Sequence, residues 1–224
     1  MIDYILSKDN EEKQEQKEES KMNIFCNSDS KELDIKVNDN HIYFYSDVNK
    51  KSALELNIKL REVEKRLLNR YKEHSFHQEY IYLHINSFGG SVFAAFAIID
   101  TIKNLKVPVV SIIEGSAASA ATMISVVCDY RYIYKTSYML IHQLSSSTWG
   151  KMSQLEDEME NLNELMKSIR LIYKNYTSIP EGEINEILKH DLWWNADLCF
   201  EKGLVDEIKI VEKSYKFSKG LCKI

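Results

Sequence analysis

Two stretches constrain this chain more than any others, because each couples a short apolar run to a turn of small residues and then to an Ala-rich helical pattern. The first is 80–85 running into Asn86-Ser87-Phe88-Gly89-Gly90-Ser91-Val92; the second is 109–113 running into Gly115-Ser116-Ala117-Ala118-Ser119-Ala120-Ala121. A brief apolar run bounded by Gly, followed by helical periodicity, is the pattern of a buried strand feeding a helix. Repeated with short connections, it dictates crossover units and a largely parallel sheet buried between helices. Corners of this kind expose backbone N–H groups or a side chain at the end of the sheet.

The rest of the chain extends this α/β pattern. Apolar residues at 33–37 and 42–45 flank Asn38-Asp39-Asn40 and read as two strands and a turn. Ser52 caps a helix to about Tyr71, with Leu54, Ile58, Val63, Leu67 and Leu68 as its apolar period. Helices follow over 92–105 and, after the Ser-Ala-Ala-Ser turn, over 122–127; two short strands are expected at 132–134 and 138–141. From 151 to 176, Met152, Leu155, Met159, Leu162, Met166, Ile169 and Tyr173 alternate at spacings of three and four. So narrow a seam on so long a helix predicts that it leaves the globule to meet another helix; the alternative is a helix lying across its own core. Beyond Pro180 the pattern gives a short helix over 181–189 and a turn at Gly203 into a last strand ending near Ile208.

Length and charge narrow the function. With 224 residues, 44% hydrophobic and 28% charged, the chain suits one sizeable domain at 31–211. Residues 7–21 hold no apolar side chain, so 1–30 read as a mobile charged segment; 212–224 read as a Lys-rich tail. A net charge of −5 without a concentrated basic face argues against a nucleic-acid partner. No stretch approaches the roughly 18 apolar residues of a membrane helix, and no apolar signal core opens the chain. Cys26, Cys128, Cys199 and Cys222 are too scattered for a metal site or disulfide framework, so the expected compartment is the cytoplasm, with no metal and no cofactor.

The chemistry-bearing residues occur in the order Ser, His, Asp. A neutral hydroxyl is a poor nucleophile and needs an imidazole to take its proton. Ser119 and His142, the latter in Met139-Leu140-Ile141-His142-Gln143, suit those parts, with Asp191 accepting the second imidazole N–H. Backbone N–H groups near Gly90 and Ala120 are candidates for holding an oxyanion. Each residue also has a plainer role. Ser119 can be a small packing residue, His142 a core histidine, Asp191 a cap for the segment of Trp193 and Trp194, and Gly89-Gly90 a tight turn. Ser87, Ser91, Ser116 and Ser125 compete with Ser119 on residue type alone.

Taken together, 85–92, 115–121, 139–143 and the run from Asp191 to Asp206 resemble the proteolytic subunit of the Clp protease, a ring-forming serine peptidase of crotonase-like fold. The resemblance spans about 40–210. It implies stacked βαβ units with a protruding handle helix, Ser119 as nucleophile, His142 as base, Asp191 as orienting acid, and Gly90 and Ala120 at oxyanion positions. It also implies that an unfolded protein or peptide lies extended between 89–92 and 144–148, so that Gly89, Ser91, Val92, Leu144, Ser145 and Ser146 contact it. Two seven-membered rings would stack through the handle as a tetradecamer, fed by an AAA+ unfoldase, since the sequence has no phosphate-binding Gly-x-x-x-x-Gly-Lys-Ser/Thr loop. Phe88 and Leu144 stand where that family usually has Pro. Competing readings are a viral capsid-maturation peptidase on the same fold, an acyl-CoA enzyme that would leave the three residues without a job, and an inactive ring subunit.

Overall fold

The computed structural model describes residues 35–74 and 79–210. The charged segment 1–30 and the tail 212–224 lie outside the described residues, as does the start of the strand expected at 33. The elements are β1 (Lys36–Asn38), β2 (His41–Phe44), α1 (Lys50–His74), β3 (Ile81–Ser87), α2 (Val92–Asn104), β4 (Val109–Ala118), α3 (Ala120–Val126), β5 (Tyr130–Tyr134), β6 (Tyr138–Leu140), α4 (Met152–Tyr176), α5 (Glu181–Leu188), β7 (Trp193–Asn195), α6 (Ala196–Glu201) and β8 (Glu207–Lys209).

The order across the sheet is β1-β2-β3-β4-β5-β8, with every neighbour parallel except the β1–β2 hairpin. Each crossover therefore adds its strand on the same side, and the βαβ units stack without a reversal. The buried strands supply the reason: five consecutive residues from Val109 to Ile113 are buried, as are Leu83, His84 and Ile85 in β3. Ala53, Leu56, Leu60, Val63 and Leu67 give α1 one buried stripe against this core.

That stripe corrects the apolar period expected for α1: Leu54 and Ile58 are 63% and 47% exposed. Its cap also shifts, because Asn49 Oδ1 accepts from the N–H groups of Lys51 and Ser52, both at 2.9 Å, so the helix opens before Ser52. Nor is the sheet buried between helices on both faces. Tyr45, Tyr80 and Tyr130, on the face opposite α1, are 38%, 40% and 39% exposed. Aromatic stacking of His41 on Tyr82 and Tyr43 on His84 covers that face instead.

The expected turn at 115–119 is also different. β4 continues through Gly115 to Ala118, its register with β3 shifts between Ile85 and Ser87, and it changes partner on the way. Val110–Ile113 pair with β5, whereas Ser116–Ala118 pair with β6. Gly inside a strand marks such an irregularity, and it was the available sequence signal.

Helix α4 divides into two parts. Ile169 and Tyr173 are its buried residues, while Met152 and Met159 are 70% and 61% exposed. The seam thus leaves the globule along its N-terminal part and joins the chain's own core at its C-terminal end.

Arg131 ties β5 to the C-terminal segment. Its guanidinium bonds both oxygens of Asp206, at 2.5 and 3.0 Å, and donates to the carbonyls of Gly203 and Tyr176. Removing one partner of a fully buried pair costs about 3–5 kcal/mol. Because Asp206 is 29% exposed, Asp206→Ala is expected to lose about 2 kcal/mol in urea unfolding; an unchanged midpoint would contradict the role given to this pair.

Candidate active site

The site forms where the C-terminal ends of β4 and β6 meet. Ala118 pairs with Leu140 across these parallel strands, and the Ser119 N–H donates to the Leu140 carbonyl at 2.8 Å. On its other edge β6 pairs antiparallel with β7, Met139 opposite Trp194 and Leu140 opposite Trp193. Continuing that register two residues sets His142 opposite Asp191. The side chains meet there, His142 Nδ1 lying 2.9 Å from Asp191 Oδ1. One ladder position thus decides which of the chain's carboxylates faces this imidazole.

Ser119 sits at φ 53 and ψ −123, a conformation that L residues rarely adopt and that persists only where the surroundings enforce it. The Gly-rich turn provides the enforcement. A Cβ on Gly89, itself at φ 95, would lie 2.5 Å from the Ala118 carbonyl oxygen and 2.8 Å from Ser119 Cβ. A Cβ on Gly90, at φ 139, would lie 2.4 Å from the Val48 carbonyl oxygen. Val48 binds the turn on both sides of Gly90, donating to the Gly89 carbonyl and accepting from the Ser91 N–H, each at 2.7 Å. Only a residue without a side chain permits either approach.

Two N–H groups are left over. That of Gly90 has no hydrogen-bond partner among the described residues. That of Ala120, the first residue of α3, has no intrahelical acceptor by its position.

The five competing serines separate by their partners. Ser87 Oγ accepts the Gly89 N–H, Ser91 Oγ caps α2 through the Ala94 N–H, and Ser116 Oγ donates to Asn86 Oδ1. Ser125 is fully buried against Ser111 at 3.0 Å. Ser119 Oγ has no hydrogen-bond partner among the described residues, His142 included. Ser119 and His142 instead line one cavity of about 190 Å³.

Gly90, Ser91, Val92, Leu144 and Ser145 also line this cavity. Gly89, Ala120 and Ser146 do not: Gly89 packs behind Ser119, Ala120 is buried, and Ser146 Oγ donates to Glu158 Oε1 at 3.4 Å. Sequence reasoning missed Met123, Gln143, Ile169 and Tyr173 on the wall. Ile169 and Tyr173 already belong to the helical seam, so their second role leaves no separate signal. Phe88 and Leu144, the two residues that stand where the family usually has Pro, make distinct contacts. Phe88 packs edge-on against Trp193 at 6.1 Å, joining the Gly-rich turn to the segment after Asp191. The Leu144 N–H donates to Met166 Sδ at 3.3 Å, a bond a Pro could not make.

The model of the Clp protease family matches residues 33–212. The chain belongs to the Clp protease family. It is 30% identical over 189 residues to the ATP-dependent Clp protease proteolytic subunit 2 of Treponema denticola, covering 82% of this chain and 94% of that one. It is 34% identical over 132 residues to the ATP-dependent Clp protease proteolytic subunit of Streptococcus mutans, covering 57% and 67%. A solved structure of a ClpP1 mutant from Listeria monocytogenes superposes with a TM-score of 0.67 at 22% identity, covering 77% of this chain and 92% of that chain, which establishes the ClpP-type, crotonase-like fold. The protein is a ClpP-type serine peptidase. Among the described residues, no helix is long and apolar enough to cross a membrane.

The packing of Gly89 on Ser119 gives a sharp expectation. Gly89→Ala should lower the rate of covalent labelling by a fluorophosphonate about 100-fold, as an ångström of displacement at a reacting centre does. Labelling at the wild-type rate would show that the close approach is incidental.

Proposed function

We propose that Ser119, His142 and Asp191 are the catalytic residues of a self-compartmentalised endopeptidase acting on unfolded proteins and peptides. The observation that carries this reading is the 2.9 Å contact of His142 Nδ1 with Asp191 Oδ1, with His142 lining the same cavity as Ser119, the one serine of the five whose Oγ has no hydrogen-bond partner among the described residues. His142 Nε2 takes the Ser119 proton as Oγ attacks the scissile carbonyl, then returns it to the leaving amine. Asp191 accepts from Nδ1, fixes the tautomer and stabilises the imidazolium. The Gly90 and Ala120 N–H groups receive the oxyanion; each such donor contributes about 10²–10³ in rate. Hydrogen bonds of this kind are often open in ligand-free sites and close around substrate, so the gap between Ser119 and His142 narrows when a peptide fills the cavity.

The peptide lies extended between 89–92 and 144–148 and adds as a strand, with Ser91, Val92, Leu144 and Ser145 on the cavity wall in support. Gly89 and Ser146 act from behind that wall. Backbone pairing reads little side-chain identity, so specificity is broad. We assign the exposed part of α4 to stacking of two heptameric rings, supported by Met152 and Met159 in solvent. We assign the delivery of folded substrates, in the cytoplasm, to an AAA+ unfoldase; the relatives' names describe those proteins as ATP-dependent.

Purified Ser119→Ala and His142→Ala are expected to assemble normally and to hydrolyse a short fluorogenic peptide at least 10³-fold more slowly, with Asp191→Ala milder. Wild-type hydrolysis by any one variant removes that residue from the mechanism, and wild-type particles that assemble but cleave nothing favour an inactive subunit. Glu at Met159 and Leu162 is expected to halve the particle mass measured by light scattering; an unchanged mass returns α4 to an intrachain role.

A further inference from the structure

The backbone of Ser119 is held on both sides. Its N–H is taken by Leu140, and its carbonyl accepts the Thr122 N–H at 3.0 Å and the Thr122 hydroxyl at 2.6 Å. A hydroxyl has one proton to give. With that proton committed to the Ser119 carbonyl, the 2.6 Å contact between Thr122 Oγ1 and Tyr173 Oη requires Tyr173 to be the donor. A directed chain therefore runs from α4, through the first turn of α3, into the residue at φ 53. Thr122 is 0% and Tyr173 1% exposed, so water does not compete for these bonds. Burial also pushes the Tyr173 phenol well above its ordinary value, against the opposing effect of its bond to Thr122, and it stays a donor at neutral pH.

What the chain holds matters more than that it exists. The Ser119 carbonyl and the Ala120 N–H are two ends of one planar trans peptide group, pointing in opposite directions. Fixing the oxygen aims the N–H. We infer that Tyr173 is a positioning residue: through Thr122 it sets the orientation of the 119–120 peptide, and so aims the Ala120 N–H at the oxyanion and holds the backbone that carries Ser119 Oγ. The inference rests on the proposed roles of Ser119 and Ala120. Tyr173 also borders the cavity, but its hydroxyl is turned to Thr122, so it acts through another group rather than on the substrate.

The test uses the full-length assembled protein, a fluorogenic peptide and a fluorophosphonate label. Tyr173→Phe keeps the ring and deletes the hydroxyl. It is expected to lower kcat about tenfold, a fraction of the 10²–10³ that follows complete loss of an oxyanion donor, with KM within about twofold. Thr122→Val, which removes the whole relay, should lower kcat further, and adding Tyr173→Phe to it should change nothing more. Thr122→Ser retains the hydroxyl and should restore kcat. Wild-type kcat in Tyr173→Phe, a change confined to KM, or fully additive losses in the double variant would overturn the inference, even if unfolding temperature drops. Should Tyr173→Phe fail to assemble, equal kcat in Thr122→Val and Thr122→Ser would overturn it just as well. Ser119→Ala separates the two levels: an inactive Ser119→Ala beside a normal Tyr173→Phe defeats only this inference, while an active Ser119→Ala defeats the reading beneath it.

Discussion

The change of partner along β4 is the constraint from which the site follows. Up to Ile113 the strand is an interior member of a parallel sheet, flanked by β3 and β5; from Ser116 β6 takes the place of β5. Without the switch at Gly115, β6 would have no edge to join, and β7 would have no edge beyond it. Ser119 and His142 would then end on unrelated parts of the surface. With the switch, three residues far apart in sequence reach adjoining strand ends, and the alignment is set by main-chain hydrogen bonds rather than by long side chains. That suits catalysis, since backbone ladders place atoms with little residual freedom.

Strain and rigidity enter at the same point. A non-Gly residue at positive φ costs of order 1–3 kcal/mol, and the surrounding contacts of Ser119 offset it. Gly89 runs so close to its Cβ that no side chain fits there, Leu140 holds its N–H, and Thr122 holds its carbonyl. The same contacts leave Oγ as the unpaired group. Nearby serines face the opposite situation: their hydroxyls cap α2, steady the Gly-rich turn or lie sealed in the core, and so are already occupied.

Much of this was legible in the sequence where a local pattern had one physical solution. The apolar runs before Gly-Gly and before Gly115 became β3 and β4, and the alternating seam became α4. Where a pattern had two solutions, the residues did not decide. The small residues 115–118 suit a turn or a close-packed strand, and the strand prevailed because β6 supplied partners. Leu54 and Ile58 fit a helical period but lie beside the buried stripe, a rotation fixed by tertiary packing. Tyrosines across β2, β3 and β5 read as strand formers with a buried face; their polar tips let that face remain partly wet. The pairing of Thr122 with Tyr173 carried no signal, because it arises from a contact 51 residues apart.

The central claim is that the hydroxyl of Ser119 is the group that opens amide bonds. Peptide-level mass spectrometry of the assembled protein after reaction with a fluorophosphonate tests it most directly. The account predicts a single stoichiometric adduct on Ser119, lost when His142 is replaced. An adduct on Ser87, Ser91, Ser116 or Ser125, with Ser119 unmodified, would contradict it.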